Sequence, residues 1–344
     1  MIVVHHPDQA LHDPGMVFWA GRFVEQAERP ERYRVLLDAV MRDGHKILEA
    51  PLGSLAPILA VHDRNYVEFL RTIHHRWISK GYGPVAVPYV HPTNRMARKP
   101  TDLVGELGWY SNSTTCPIMS GTWQAVAASA QTAVHGARML KMNDGPVYAM
   151  CRPPGHHAYS DLMTGVCYLN NAAIAANELV EGFGKIAILD IDVHHGNGIQ
   201  SIFWQRSDVL YCSVHIDPCL AAPFFAGHAD EVGAGPGLGL TFNQPLPHAT
   251  SDPKWLVAID GMIARARDFN PGALVVALGL DAAERDPMDT FRITEDGFRE
   301  AGRKISAVGL PTLLVQEGGY LNPMLAGYLR AFLSGVESEE VFRG

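Results

Sequence analysis

The stretch Ile186 to Gln200, Ile-Ala-Ile-Leu-Asp-Ile-Asp-Val-His-His-Gly-Asn-Gly-Ile-Gln, constrains this chain more than any other. It begins as a run of branched apolar residues, the pattern of a strand covered on both faces in a parallel sheet. Charge then enters, with Asp190, Asp192 and His194 alternating with Ile191 and Val193. Every second residue of a strand points the same way, so an extended run to His194 puts three polar side chains on one side. Carboxylates buried there need donors or a cation. Gly196 and Gly198 break the run, and open parallel sheets bind ligands at the carboxyl ends of their strands. Asp192 and His194 are therefore a candidate oxygen and nitrogen pair for zinc. A strand end with a capping aspartate and a hydrogen-bonded histidine is the alternative.

Patterns on either side give the fold class. Strand-like segments at Ile2–Val4 (a starting or edge strand), Val147–Cys151, Ile186–Asp192, Val209–His215, Ala273–Leu280 and Thr312–Gln316 alternate with helical ones. The helical patterns cover Pro30–Met41, Asn65–Arg71, Thr122–Met142, Asn170–Glu181, Pro253–Arg267, Thr294–Ala307 and Asn322–Leu333. Thr294 reads as an N-cap and Asn322-Pro323 as the opening of the last helix. Such alternation means an α/β fold with a parallel sheet. No linker or internal repeat is visible, so 1–344 reads as one domain. Gly81 to Thr101 is proline-rich, carries Arg95, Arg98 and Lys99, and lacks periodicity. A connection that long points to a functional loop or contact surface.

Composition excludes several classes. No apolar run approaches eighteen residues, so no membrane span is expected. The N-terminus lacks the marks of a secretory signal. Five cysteines without paired spacing fit a reducing cytoplasm. A net charge of −8 without a basic stripe argues against nucleic acid and mildly favours cationic small substrates.

Three further strands end in polar residues beside glycine or proline: Pro153-Pro-Gly-His156-His157, Gly279-Leu-Asp281 and Glu317-Gly-Gly-Tyr320. Singly, each reads equally well as a loop histidine pair, a strand-end cap or a packed aromatic. Together with Asp190-Ile-Asp-Val-His-His-Gly-Asn-Gly198 they resemble, in this order and across almost the whole chain, the zinc-dependent histone deacetylase family. The resemblance implies a single-domain arginase/deacetylase-like fold, a mostly parallel sheet of about eight strands flanked by helices.

It also implies the site. Asp192, His194 and Asp281 would hold one zinc ion per chain, and His157 would be the general base and then acid. His156 would orient the water, held by Asp190, and Asn197 would lie beside His157. Many relatives have aspartate where this chain has Asn197, and a neutral partner leaves His157 the less basic of the pair. Tyr320 would donate to the developing oxyanion, with Gly318 and Gly319 letting it swing. A structural potassium ion would sit at Asp190, Asp192, His194, Ser213 and Val214; a plain hydrogen bond at Ser213 is the alternative.

Within the family the chain is most similar to bacterial acetylpolyamine amidohydrolases, through its length, its insert, Gly121-Thr122-Trp123 and Cys151-Arg-Pro-Pro-Gly-His-His. That branch implies a homodimer, with the insert (about 76–120, chiefly Trp77 to Tyr110) as dimer contact and tunnel wall, and a small acetylated amine as substrate. Tunnel residues would be Gly165, Val166 and Phe225. Valine stands at 166 where the branch often has an aromatic, so one wall should be wider. Glu106 is the nearest candidate to meet a distal ammonium, or else a solvated helix charge. Other readings are an acetyl-lysine deacetylase, a non-catalytic binder on the same fold and a two-metal arginase-like hydrolase.

Overall fold

The computed structural model describes residues 1–92, 98–143 and 145–338, so Arg95 of the insert lies outside the described residues. The strands are β1 (Ile2–His5), β2 (Met16–Trp19), β3 (Arg22–Glu25), β4 (Lys46–Glu49), β5 (Val147–Ala149), β6 (Ile186–Asp190), β7 (Val209–Ile216), β8 (Thr241–Leu246), β9 (Ala273–Leu278) and β10 (Thr312–Gln316). The α-helices are α1 (Pro30–Arg42), α2 (Ala56–Leu59), α3 (Arg64–Ser79), α4 (Leu103–Trp109), α5 (Thr122–Met142), α6 (Asn171–Phe183), α7 (Asn197–Phe203), α8 (Asp252–Phe269), α9 (Glu295–Ser306) and α10 (Leu325–Glu337).

Eight strands form the main sheet in the order β4-β1-β5-β10-β9-β6-β7-β8. Every pairing in it is parallel. Because each parallel step needs a crossover helix, both faces are covered, and the strands must be apolar on both. In β6, Ala187 and Leu189 pack on one face with residues of α1, α8, α9 and α10, while Ile186 and Ile188 pack on the other with α5, α6 and α7. Each fully buried Leu or Ile contributes about 1.5–3 kcal/mol relative to exposure, which fixes the register of this central strand.

The strand order decides where chemistry can occur. β5, β10, β9, β6 and β7 are consecutive neighbours. Their carboxyl ends therefore bring the histidine pair, the Tyr320 loop, Asp281 and the Asp190–His194 segment to one edge, although they are far apart in sequence.

Several expectations need correction. β6 stops at Asp190, so Asp192 and His194 lie on an irregular loop, although Ile191 and Val193 still bury into the α8 face. β1 is internal, flanked by β4 and β5; β4 is the edge. α10 begins at Leu325, because Asn322 Oδ1 accepts the Met324 N–H and Asn322-Pro323 forms a turn ahead of it. Thr294 does cap α9, accepting from Gly297 N at 3.1 Å. The β2–β3 hairpin, β4, β8, α4 and α7 have no counterpart in the sequence reading. Among the described residues no helix is long and apolar enough to cross a membrane.

The insert is anchored by a third apolar cluster. Leu103, Leu107 and Tyr110, in and just after α4, pack with Tyr66, Phe69 and Ile73 of α3. Tyr89 and Val90 remain exposed.

Candidate active site

Asp192, His194 and Asp281 converge at the sheet edge, with ligand-type atoms all within 4.8 Å of one another. His194 Nδ1 is 3.1 Å from Asp281 Oδ2 and 3.3 Å from Asp192 Oδ1. Atoms about 2.0–2.1 Å from a tetrahedral zinc are about 3.3 Å apart, so this spacing fits zinc. Main chain aims the carboxylates: Asp281 Oδ1 accepts the Val193 N–H at 3.1 Å, and Asp192 accepts those of His194 and Gly318 at 2.9 and 2.8 Å. Burial lowers the His194 pKa, but hydrogen bonds to Asp192 and Asp281 outweigh it and bring it to about 10. The two carboxylates thus demand a positive charge, which a proton or a metal ion can supply.

The adjacent histidines have opposite proton affinities. His156 Nδ1 lies 3.2 Å from Asp190 Oδ2, and its Nε2 lies 3.7 Å from Asp192 Oδ1. Burial lowers its pKa, but Asp192 and Asp190 overcome this and raise it to about 10. His157 Nδ1 sits 2.6 Å from Asn197 Oδ1. Its pKa is held well below the usual histidine value, first by burial and then by His156 and His194. The carboxylates thus favour a proton on His156, while burial and its cationic neighbours disfavour one on His157.

The Glu317–Tyr320 loop is held at several points. Gly319 has φ +107, and a Cβ on Gly318 would lie 2.3 Å from Asp281 Oδ2 and 2.5 Å from Asp192 Oδ2. Gly318 is needed so that the loop can press on both metal-ligand candidates. Arg32, reaching in from α1, donates to the Glu317 carbonyl at 2.7 Å and the Gly319 carbonyl at 2.5 Å. Its guanidinium also stacks 5.1 Å from the Tyr320 ring centroid. Asp286 Oδ2 accepts the Tyr320 N–H at 2.7 Å. Burial keeps the Tyr320 phenol protonated, hence a donor.

Sequence reasoning missed this support. Arg32 and Arg152 share the buried Glu28 carboxylate at 2.9 and 2.8 Å. Glu317 Oε2 receives the N–H groups of Gly155 and His156 at 2.6 and 3.0 Å, tying the tyrosine loop to the histidine turn. Glu28 precedes α1, whose N-cap is Arg29, so no helical spacing signalled its pairing with Arg32. His156, Cys167 and Glu317 also lie close together. Burial pushes the Cys167 thiol well above its usual range and Glu317 up to about 7, so this group suits a protonated support better than a metal.

Asp190 is fully buried and already accepts from Tyr211 Oη at 3.0 Å and Asp192 N at 3.2 Å. It pairs in register with Ser213, whose Oγ lies 2.8 Å from His215 Nδ1. Val214 is buried beside it. Oxygens of Asp190 and Ser213 suit a monovalent cation, but Asp190 has donors without one.

The rim is less constrained. Gly165 and Val166 form a tight turn closed by Thr164 and Cys167, with φ +53 and +61. A Cβ on Gly165 would lie 2.4 Å from the His157 ring, so this turn packs directly on the base. Phe225 is 91% exposed and lines, with Asn197 and Glu231, an open depression of about 620 Å³ that Gly165 and Val166 do not line. Glu106 requires correction: it is neither solvated nor free for an ammonium. It is buried and paired with Arg76 at 2.5 Å and Lys99 at 3.4 Å.

The histone deacetylase domain model matches residues 26–336. The chain belongs to the histone deacetylase family. It is a hydrolase of the deacetylase type. It is 42% identical over 340 residues to the acetylpolyamine amidohydrolase of Burkholderia pseudomallei (strain 1710b), covering 97% of this chain and 98% of that protein. It is 40% identical over 339 residues to the acetylpolyamine amidohydrolase of Mycoplana ramosa, covering 98% and 99%. The histone deacetylase-like amidohydrolase of Pseudomonas aeruginosa is 32% identical over 240 residues, 67% of this chain and 62% of that one. Among solved structures, an acetylpolyamine aminohydrolase from Burkholderia pseudomallei superposes with a TM-score of 0.93 at 40% identity, covering 98% of this chain and 99% of that chain.

Proposed function

We propose that this deacetylase removes the acetyl group from small N-acetylated polyamines or diamines, giving acetate and the free amine, with one zinc ion at Asp192, His194 and Asp281. The observation that carries the chemistry is the meeting of three zinc-spaced donors with two adjacent histidines, His156 held by Asp190 and His157 held by the neutral Asn197. Full-length similarity to acetylpolyamine amidohydrolases, against partial similarity to a histone deacetylase-like enzyme, supports the small-amine substrate.

A zinc ion there supplies a Lewis acid that polarises the amide carbonyl and acidifies water. Neutral His157 Nε2 takes the proton as water adds to the carbonyl carbon, while Asn197 orients the ring through Nδ1. His156, charged and anchored by Asp190, stabilises the negative charge that develops. The Tyr320 hydroxyl donates to the oxyanion, an interaction of about 2.7–4 kcal/mol in comparable sites. His157 then returns its proton to the leaving amine as the carbon–nitrogen bond breaks.

We further infer a single catalytic domain, a potassium ion at Asp190, Asp192, His194, Ser213 and Val214, and a homodimer through the insert. A cytoplasmic location fits five free cysteines, four of them buried. The test is turnover by zinc-loaded protein of acetylputrescine, acetylcadaverine, acetylspermidine and an acetyl-lysine peptide. Higher kcat/KM on the peptide would make it a peptide deacetylase instead.

A further inference from the structure

We propose that Phe225 lies on the amine's path and that Glu231 is a positioning residue that holds its loop, and so sets how well longer amines bind. The proposal rests on the amide-hydrolase reading above. Residues 217–231, between β7 and β8, form no helix or strand. A connection of this length without regular structure needs fixed points to present a side chain reproducibly.

Those fixed points converge on Gly227, two residues after Phe225. Gly227 has φ +108 and fits between two imidazoles; a Cβ would lie 2.8 Å from both His195 Cγ and His215 Nε2. Its carbonyl lies 2.8 Å from His215 Nε2. Its N–H donates to Glu231 Oε2 at 2.9 Å, and the same oxygen accepts from Gln200 Nε2 at 2.5 Å. Gln200 is itself held: its Oε1 lies 3.1 Å from His195 Nε2 and accepts from Asn243 Nδ2 at 2.8 Å.

One carboxylate therefore joins the rim loop to α7, the helix that opens with Asn197, and to the residue following His194. Hydrogen bonds to a charged acceptor are roughly twice as strong as neutral ones. Glu231, Phe225, Asn197 and Tyr159 line the same depression, and Asn197 Oδ1 lies 2.6 Å from His157 Nδ1, so a shift of this clamp moves Phe225 relative to the proposed base. Glu231 touches no reacting atom; it acts through the position of Phe225.

The test uses the zinc-loaded full chain and two substrates. Acetylcadaverine carries a five-carbon amine arm beyond the amide nitrogen, whereas N-methyltrifluoroacetamide carries only a methyl group. Glu231→Ala should raise KM for acetylcadaverine about 5- to 10-fold with kcat within about 2-fold, and leave the short amide unchanged. Backbone amides 224–227 should exchange faster with solvent deuterium. The double variant Gln200→Glu with Glu231→Gln keeps one amide and one carboxylate in the pair, and should restore both readouts. Equal losses on the two substrates, or none on either, would overturn the proposal. If the wild type hydrolyses neither amide, the parent reading fails. Deuterium exchange then decides the clamp: unchanged exchange at 224–227 in Glu231→Ala overturns it, and faster exchange reversed by the double variant supports it.

Discussion

At the floor of the site, main-chain N–H groups hold the carboxylates of Asp192 and Asp281, and Arg32 and Asp286 hold the Tyr320 loop from two sides. Among the residues expected to meet the amine, Phe225 stands exposed on an irregular loop, and the Glu106 carboxylate is occupied by Arg76 and Lys99. The floor is over-determined because buried charges are costly unless every partner is fixed. The mouth faces water, which satisfies polar groups in many arrangements, so its geometry is free to vary with substrate. The proposed chemistry therefore rests on the floor, and the proposed choice of amine on the less constrained residues around it.

The sharpest way to break this contrast is at the floor. Asp281→Ala should lower kcat at least about 10³-fold and abolish stoichiometric zinc binding, read by kinetics and metal analysis. Retained activity with zinc bound would show that the cluster is not the centre. Next is Arg32→Met, which removes both loop carbonyl contacts and the stacking on Tyr320. It should lower kcat about 10- to 100-fold with KM little changed, and cost about 3–5 kcal/mol of stability in urea unfolding, since Glu28 loses a buried partner. An unchanged kcat would mean that Tyr320 is positioned without it.

At the mouth the expected effects are smaller. Glu106→Gln should leave KM for acetylated diamines within about 2-fold and cost less than about 1 kcal/mol, because Arg76 and Lys99 are more than a third exposed. A large KM increase for diamines but not for neutral acetamides would return the ammonium-reading role to Glu106. Smallest is Val166→Asn. A β-branched residue at φ +61 is strained, and asparagine tolerates that conformation, so thermal unfolding should shift up by the equivalent of about 0.5–1 kcal/mol. A fall would mean that Val166 packing outweighs its strain.

The same contrast governs what could be read from the residues alone. Asp190, Asp192 and His194 interrupt an otherwise apolar strand, and only a site explains that interruption, so the floor was legible. The class of sheet followed from alternating periodicities, although its order followed from neither motif nor period. The strand pattern runs past the end of β6 because Ile191 and Val193 keep both the alternation and single main-chain hydrogen bonds to the neighbouring strands, Ile191 N–H to the Ala277 carbonyl and Ile216 N–H to the Val193 carbonyl. Glu106 was misplaced because its partners, Arg76 on α3 and Lys99 in the insert, are brought to it by tertiary packing that sequence spacing does not reveal. Arg32 reads as an ordinary helix charge; its contacts to the Glu317 and Gly319 carbonyls appear only when α1 meets β10.

The most direct test of the account is a zinc titration of metal-free protein, following acetate released from acetylcadaverine. Activity should rise linearly and saturate at about one zinc per chain, with no such rise in Asp192→Ala. Saturation only at two metal ions per chain, or turnover independent of added metal, would contradict a single centre built by Asp192, His194 and Asp281.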